Sequence, residues 1–301
     1  MKKILFPATN PIHLSRNQLL LNELKENFEV HIAEYSQKEM SMSEIAVDIT
    51  PKFKVALDKI KPDAVLARGD RFEILIPVML AAYSNIPIIH LEGFDVSGVI
   101  DQKIRYAVSY LSDYHFVSNE ESYQRALSMG FKNIWNCGSL DCEYALSVKP
   151  LKLRSKPYIM TLWHPTPNED SSALYEAIKA FENDFQIVGI RGNHDYGEKS
   201  QYQEFYKPDE FINLLRYASC VVGNSSCLIK ECSALGVQSV LVGDRQKNRL
   251  RPHNVLDVAC EKELIKFGIE YQLKHGHYLE DRTYLRPNTS QEIARIIGTL
   301  V

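Results

Sequence analysis

Short apolar runs rich in valine and isoleucine alternate along the chain with longer segments whose apolar residues recur at helical spacing. In the first half the short runs are KKILFPA, FEVHIAE, DAVLAR, IPIIHLE, YHFVS and NIWNCG. Stretches such as HLSRNQLLLNELKE and RFEILIPVMLAAYS separate them. Regular alternation of strand and helix is typical of a parallel sheet with helices on both faces. The first half is therefore predicted to be one Rossmann-like α/β domain.

The pattern pauses at residues 148–157, where PLKLRSKP has two prolines and basic polar residues, and then starts again. Strands are predicted at YIMTLWH, FQIVGIR, SCVVGN and QSVLVGD, with helices at about 171–183, 208–218 and 226–235. We therefore expect two Rossmann-like parallel-sheet domains, 1–150 and 151–301, facing each other across a cleft. The final helix, at about 290–300, carries an apolar face that needs a surface, and the first domain is one candidate.

Composition narrows the classes of function. The chain has 301 residues, 45% of them apolar, with a formal charge of −3 and scattered basic residues. A folded globular protein is expected, without nucleic acid as a partner, because no basic surface would attract a polyanion. No apolar run is long enough for a secretory signal or a membrane span. The six cysteines form no CxxC pair, so we expect reduced thiols and a cytoplasmic location.

Ligands of parallel α/β sheets bind at the carboxyl ends of the strands, so the residues there are the candidates for function. The first such turn, ATNPIHLSRN, lacks glycine, which argues against dinucleotide binding. The chain has no Walker A, HExxH or GxSxG motif, and His275 and His277 are a weak metal signal in a polar loop. We predict no cofactor and no metal.

Carboxylates follow two strands in the first half, and a third opens the next helix. Asp70 comes after DAVLAR, Glu92 ends IPIIHLE, and Asp101 begins the helix that carries Arg105. Asp70 and Asp101 could each be only a helix cap. Together, however, the three acids are expected on one wall of a crevice, and clustered carboxylates raise one another's pKa. This arrangement favours proton-transfer chemistry.

In the second half, His164 follows a strand, and another strand leads into a turn of Asn224, Ser225 and Ser226. That turn is predicted to open a helix containing Glu231, and a helix N-terminus can bind phosphate oxygens. Three arginines follow the next strand, at positions 245, 249 and 251. Guanidinium groups suit a diphosphate, and Glu231 could accept hydrogen bonds from ribose hydroxyls.

Five segments in this order, GDRFE, HLEGFDVSGVIDQKIRYAVSYLSDYHFVSNEE, WHPTP, GNSSCLIKECSALG and VGDRQKNR, resemble the hydrolysing UDP-N-acetylglucosamine 2-epimerases. The members most similar serve sialic and legionaminic acid synthesis, a route to cell-surface polysaccharides. The similarity covers roughly residues 62–258. It implies a GT-B-type fold with a nucleotide-diphospho-sugar in the cleft and, by analogy, a homodimer.

By the same resemblance, the catalytic positions are Asp70, Glu92, Asp101 and His164. The nucleotide-binding positions are Arg71, Asn193, Ser225, Ser226, Glu231 and Arg245. The implied reaction eliminates the nucleoside diphosphate and hydrates the resulting glycal to the 2-epimer. A GT-B glycosyltransferase, a sensor that binds nucleotide-sugars without turnover and a non-hydrolysing epimerase are the alternatives.

Four features depart from the family pattern. Asn10 stands where members carry an arginine, Phe94 replaces the second glycine of HxEGG, and Leu228 replaces a glycine in the serine turn. The segment before Gly69 is also shorter than in typical members. Phe94 is expected to fill room that the glycine leaves open.

Overall fold

The computed structural model describes residues 1–8, 11–34, 41–166, 169–190, 203–204 and 206–301. The chain divides into two compact units. Unit 1 comprises Met1–Asp95, Ile100–Glu143 and Arg286–Val301, and unit 2 comprises Val96–Val99 and Tyr144–Leu285. The domain boundary expected at residue 150 stays a prediction.

Unit 1 is built on a six-stranded sheet in the order β2-β1-β3-β4-β5-β6, with every pair parallel. The strands are β1 Lys3–Ala8, β2 Glu29–Glu34, β3 Ala64–Arg68, β4 Ile88–Leu91, β5 Tyr114–Val117 and β6 Ile134–Asn136. The central strands β3 and β4 are buried at every position. This is why they appear in the sequence as continuous apolar runs instead of alternating ones.

Helices cover both faces of this sheet. They are α1 Pro11–Arg16, α2 Gln18–Lys25, α3 Met42–Ile60, α4 Phe72–Tyr83, α5 Asp101–Leu111, α6 Glu120–Ser128, α7 Leu140–Ser147 and α12 Thr289–Leu300. α3, α4 and α5 pack on one face, around Phe53, Ile74 and Val108. α2 and α12 pack on the other, where Ile293 and Ile297 join the core. The apolar stripe of the last helix thus lies on the first sheet.

Unit 2 is built on a second parallel sheet in the order β12-β11-β10-β7-β8-β9. Its strands are β7 Tyr158–Leu162, β8 Gln186–Ile190, β9 Gln203–Glu204, β10 Cys220–Gly223, β11 Ser239–Val242 and β12 Val255–Val258. Its helices are α8 Ser172–Ile178, α9 Pro208–Arg216, α10 Glu231–Leu235 and α11 Lys262–His275. The helix expected at 226–235 is two pieces, a 3-10 turn at Ser226–Leu228 and then α10. No helix in the described part of the chain is long and apolar enough to cross a membrane.

Each strand order has one point where the direction of winding reverses, and ligands of open α/β sheets bind at such points. In unit 1 this point lies between β1 and β3, so the turn after Arg68 borders it. In unit 2 it lies between β7 and β10, so residues 163–164 and 224–226 border it. Topology alone therefore brings Asp70 to one switch point, and His164 and Ser225 to the other.

Gly223 ends β10 at the switch point of unit 2. Its φ is +150°, and a Cβ there would overlap the carbonyl oxygen of Leu162 on the neighbouring β7. Leu162 and Gly223 are paired residues of the neighbouring strands β7 and β10, so the strands cannot move apart to make room for a Cβ without breaking their pairing. Only glycine fits this close approach between two backbones.

We expect Gly223→Ala to lower the free energy of unfolding by at least about 2 kcal/mol, because the added methyl group forces backbone atoms apart. The measurement is urea unfolding of the full chain. Gly298→Ala is the matched control, because nothing lies within 4 Å of its Cβ position. In the interior of α12 this control is expected to stabilise the protein by about 0.5–1 kcal/mol. Equal effects of the two substitutions would contradict the close-approach explanation.

Candidate functional site

The carboxyl edge of the unit 1 sheet carries the three predicted catalytic acids. Asp70 follows the glycine turn after β3, and its side chain is 28% exposed. Its Oδ2 contacts Nη2 of Arg105, a residue of α5 that is itself only 1% exposed. The N-cap of α4 is Arg71. Asp70 is therefore not the N-cap of this helix, and its carboxylate forms an ion pair.

Glu92 lies at the end of β4 in the left-handed region, with a φ of +61°. Its Oε1 accepts hydrogen bonds from Arg68 Nη2 at 3.1 Å, Ser139 Oγ at 2.9 Å and the backbone N of Leu140 at 3.0 Å. Leu140 is the first residue of α7, so Glu92 also binds a helix N-terminus. A left-handed non-glycine residue costs roughly 1–2 kcal/mol, which these three bonds offset.

Arg68 is the hub of a buried charge cluster around Glu92. Its Nη2 also lies 2.9 Å from Oδ1 of Asp141, and its side chain is 5% exposed. Arg16 approaches the same Asp141 oxygen at 3.6 Å. The two acids share one guanidinium, because a buried carboxylate without a countercharge would be very unfavourable.

Asp101 is the first residue of α5 and lies one helical turn before Arg105. Residues four apart occupy one face of a helix, so Asp101 is on the face of α5 from which Arg105 reaches Asp70. The structure thus relates Asp70 and Asp101 through one helix and places Glu92 in the separate cluster with Arg68. Asp70 and Glu92 each contact an arginine of their own, Arg105 and Arg68, so these two acids have separate countercharges.

Two histidines lie at this edge of the sheet, the fully buried His90 and the partly buried His13. His90 on β4 lies between the Gly69 carbonyl, 3.0 Å from Nε2, and Ser109 Oγ, 3.0 Å from Nδ1. Burial lowers the pKa of His90 to about 4, so the ring is neutral near pH 7. Burial, with Arg68 and Arg71 close by, lowers the pKa of His13 to about 3. A neutral His90 holds the turn that carries Asp70.

The side chain of Phe94, which stands where the family has a glycine, lies in the core of unit 1. Its side chain is fully buried against Val117 and Ala126. Its ring packs edge-on against His115 and Phe131, at centroid distances of 5.4 Å and 4.7 Å. With a φ of +65°, the backbone of Phe94 directs the side chain into this core, and the expectation that it fills room left open by the family glycine stays a prediction.

In unit 2, Asn224 connects the loops that carry the predicted nucleotide-binding residues. Its Oδ1 accepts from the backbone N of His164 at 2.7 Å, and its Nδ2 donates to the His164 carbonyl at 2.8 Å. Its own carbonyl accepts from Arg245 Nη1 at 3.2 Å and from Gln246 Nε2 at 3.0 Å. The fully buried side chain of Asn224 thus holds the backbone of His164. The backbone carbonyl of Asn224 binds Arg245, which follows the next strand.

The remaining predicted residues of unit 2 lie around the same turn. Ser225 precedes the 3-10 turn and accepts from Cys227 N at 3.5 Å, Ser226 opens that turn, and Glu231 is buried at the start of α10. Of the other strand-end arginines, Arg251 is paired with Asp257 at 2.8 Å. Arg249 is buried.

Of the other predicted residues, Arg71 forms an ion pair with Glu73 at 2.8 Å. Asn193 and Asn10 lie outside the described residues. Within the described ranges, no three His, Cys, Asp or Glu side chains are grouped to hold a metal ion.

Sequence reasoning missed the roles of Arg68, Arg105, Asp141 and His90. Arg68 could have been found by the rule that identified Glu92, because it is a charged residue at the end of a buried strand, whereas Asp141 lies in α7 and has no such signal. The Arg105–Asp70 pair has no such signal, because the two residues are far apart in the sequence. Unit 1 offers carboxylates that could take part in proton transfer, and unit 2 by itself offers hydroxyl and guanidinium groups that could bind an anion.

Comparison with known proteins gives consistent matches. The family model described as UDP-N-acetylglucosamine 2-epimerase matches residues 12–298. The polysialic acid biosynthesis protein P7 of Escherichia coli is 31% identical over 239 residues, which is 69% of this chain and 61% of that protein. The hydrolysing UDP-N,N'-diacetylbacillosamine 2-epimerase of Legionella pneumophila is 32% identical over 269 residues, 79% of this chain and 71% of that one. The chain thus spans less than two thirds of the length of the first relative.

Among solved structures, the chain is similar to the UDP-GlcNAc 2-epimerase of Methanocaldococcus jannaschii in complex with UDP-GlcNAc and UDP. The TM-score is 0.79 with 18% identity, covering 99% of this chain and 100% of the other. This likeness and the two parallel sheets confirm the predicted fold class, two Rossmann-like parallel-sheet domains of the GT-B type.

We expect the free energy of unfolding to fall as the pH is lowered from about 6.5 towards 4, because the unfolded chain takes up a proton at His90 that the folded chain excludes. Stability from a lowered histidine pKa is present above the unfolded value and is lost below it. Between pH 7.5 and 5, His90 alone accounts for a loss of about 2 kcal/mol.

The test is urea unfolding of the wild type and of His90→Gln at both pH values. The Gln variant keeps a donor for the Gly69 carbonyl and should lose about 2 kcal/mol less stability on acidification. His275→Gln, at the surface, is the control. An identical loss in wild type and His90→Gln would disprove the role of His90.

Arg68→Met is expected to lower the free energy of unfolding by about 3–5 kcal/mol, because it removes the guanidinium that Glu92 and Asp141 share. Arg16→Met is the matched control. The Arg16 side chain is 27% exposed and lies 3.6 Å from Asp141, so its loss should cost less than about 1 kcal/mol. Urea unfolding at pH 7.5 measures both, and similar losses would show that Arg68 is not the hub.

Proposed function

The chain belongs to the UDP-N-acetylglucosamine 2-epimerase family, and on that premise we propose that it is a hydrolysing nucleotide-sugar 2-epimerase. Its substrate would be a nucleoside diphosphate, most simply UDP, attached to an N-acetylated amino sugar. The products would be the nucleoside diphosphate and the free sugar, inverted at C2. The observation that carries this proposal is the presence of Asp70 and Asp101 at the strand-end edge of unit 1, related through Arg105 of α5.

The chemistry explains why more than one acid is needed. When the C1–oxygen bond breaks, its electron pair leaves with the diphosphate, C1 becomes cationic, and the C2 proton becomes acidic. A carboxylate removes that proton, and the electrons of the C2–H bond form the C1–C2 double bond of a glycal. Water then adds to C1 while an acid delivers a proton to C2 from the other face. Because the proton leaves one face and returns to the other, a single carboxylate does not suffice.

Unit 2 carries groups suited to the leaving diphosphate. We propose that the nucleotide is held by residues of the serine turn, the adjacent helix and two neighbouring loops: His164, Ser225, Ser226, Glu231 and Arg245, with Asn193 and Arg71 completing the set. The guanidinium and hydroxyl donors stabilise the negative charge that grows as the C1–oxygen bond breaks. The link between Arg245 and His164 through Asn224 supports a joint role.

We also propose the setting in which the enzyme works. A homodimer in the cytoplasm is the simplest assembly, since twofold dimers are the commonest oligomers. The name of the Escherichia coli relative supports a place in the synthesis of sialic-acid-type sugars for cell-surface polysaccharides.

The test is incubation of the purified protein with UDP-N-acetylglucosamine or UDP-N,N'-diacetylbacillosamine in D2O, with products followed by NMR. We expect release of UDP and a 2-epimeric sugar that carries deuterium at C2. Asp70→Asn and Asp101→Asn should each reduce UDP release by about 100-fold or more. Asp58→Asn, at an exposed position paired with Lys54, is the control and should retain activity.

Other outcomes would replace the proposal. UDP release without deuterium at C2 would identify a simple hydrolase, and turnover only with an added acceptor would identify a glycosyltransferase. Epimerisation with the diphosphate still attached would identify a non-hydrolysing epimerase. Tight binding without any product would identify a nucleotide-sugar sensor.

A further inference from the structure

The side chain of Arg105 is the largest that the described part of unit 1 buries completely. Its guanidinium connects two loop positions, Asp70 and Asp95. Its Nη2 contacts the Asp70 carboxylate, and its Nη1 contacts the backbone carbonyl of Asp95. Arg105 is 1% exposed, whereas the Asp70 side chain is 28% exposed. The cation therefore lies inside the protein, and the carboxylate it holds remains accessible from outside.

Asp95, the second partner of Arg105, is itself held by hydrogen bonds. The carboxylate of Asp95 accepts hydrogen bonds from Asn119 Nδ2 at 2.9 Å and from Ser122 Oγ at 2.8 Å, both at the start of α6. Asp95 is 3% exposed, so these bonds are shielded from water. With Asp95 held in this way, the Arg105 guanidinium has little freedom to turn away from Asp70.

Helix α5, which carries Arg105, also holds the Asp70 turn by a second set of contacts. Ser109, four residues after Arg105 on α5, contacts His90, and His90 contacts the Gly69 carbonyl next to Asp70. Thus α5 contacts the Asp70 carboxylate through Arg105 and holds the backbone of the same turn through His90, and its first residue is Asp101. One helix therefore connects the two acids.

We infer that Arg105 is a positioning residue that fixes the orientation of the Asp70 carboxylate relative to Asp101. This inference rests on the proposed function, because it assigns Arg105 a part in the same reaction. A buried guanidinium stabilises the charged form of an adjacent carboxylate. Proton transfer depends steeply on the placement of the reacting groups, so loss of this contact lowers turnover although Arg105 does not touch the substrate.

The experiment compares Arg105→Gln, Arg105→Lys, Asp70→Asn and the double variant Arg105→Gln/Asp70→Asn in the UDP release assay with UDP-N-acetylglucosamine. We expect Arg105→Gln to lower kcat by about 100-fold with a smaller change in KM. Arg105→Lys should recover part of the loss, because it restores the charge without the two-pronged geometry. The double variant should be no slower than Asp70→Asn alone, because Arg105 acts through Asp70.

Arg125→Gln is the matched control. Arg125 on α6 also binds a backbone carbonyl of the same segment, that of Phe94 at 2.6 Å, and a carboxylate, that of Glu121. Neither partner is one of the predicted catalytic acids. Its kcat should stay within about twofold of wild type, since a partly exposed ion pair contributes little. A loss in this variant as large as that in Arg105→Gln would show that anchoring the segment, and not Asp70, explains the effect.

Urea unfolding of the wild type, Arg105→Gln, Asp70→Asn and the double variant Arg105→Gln/Asp70→Asn gives a readout that does not depend on activity. If Arg105 holds Asp70, the losses of stability in the single variants will sum to more than the loss in the double variant. Additive losses in kcat, or no stability coupling between the two residues, would overturn the inference. If the wild type releases no UDP from any nucleotide-sugar, the proposed function fails, and the stability coupling alone then decides whether Arg105 holds Asp70.

Discussion

The need to neutralise charge at the buried carboxyl edge of the first sheet determines most of what surrounds it. Acids at the ends of strands that are buried on both faces lose hydration, and only an oppositely charged partner offsets this loss. Arg68 serves Glu92 and Asp141, and Arg105 serves Asp70. The two arginines come from different elements, so one cluster ties β3 to the end of β4 and to α7, and the other ties α5 to the turn after β3.

Much of the fold was accessible from the sequence, for physical reasons that differ between elements. Strands buried on both faces, such as β3 and β10, produce continuous apolar runs that are hard to misread. β12 was missed because it is only partly buried, and its short run VLDV lies among polar residues. The serine-turn helix was predicted as one piece because its composition is uniform. The break into a 3-10 turn and α10 depends on backbone angles that composition does not reveal.

The site was predictable to the extent that its residues follow strands. That rule found Asp70, Glu92 and His164, and it brought Arg245 to the neighbourhood of the serine turn, where Asn224 holds it. What it did not predict is pairing. Arg105 meets Asp70 and Ser139 meets Glu92 only because the chain folds back over long separations, and nothing local in the sequence marks either partner. The position of a charge could thus be predicted from the sequence, but its electrostatic environment could not.

The buried ring of Phe94 places two opposing constraints on its position. An aromatic residue with a φ of +65° is disfavoured by its backbone and stabilised only by the neighbours that receive it, Phe131 and His115 among them. Glycine would remove the backbone cost but would leave a void among these rings. The strained backbone is therefore held in place by packing, so the ring and its neighbours can be changed without loss only together.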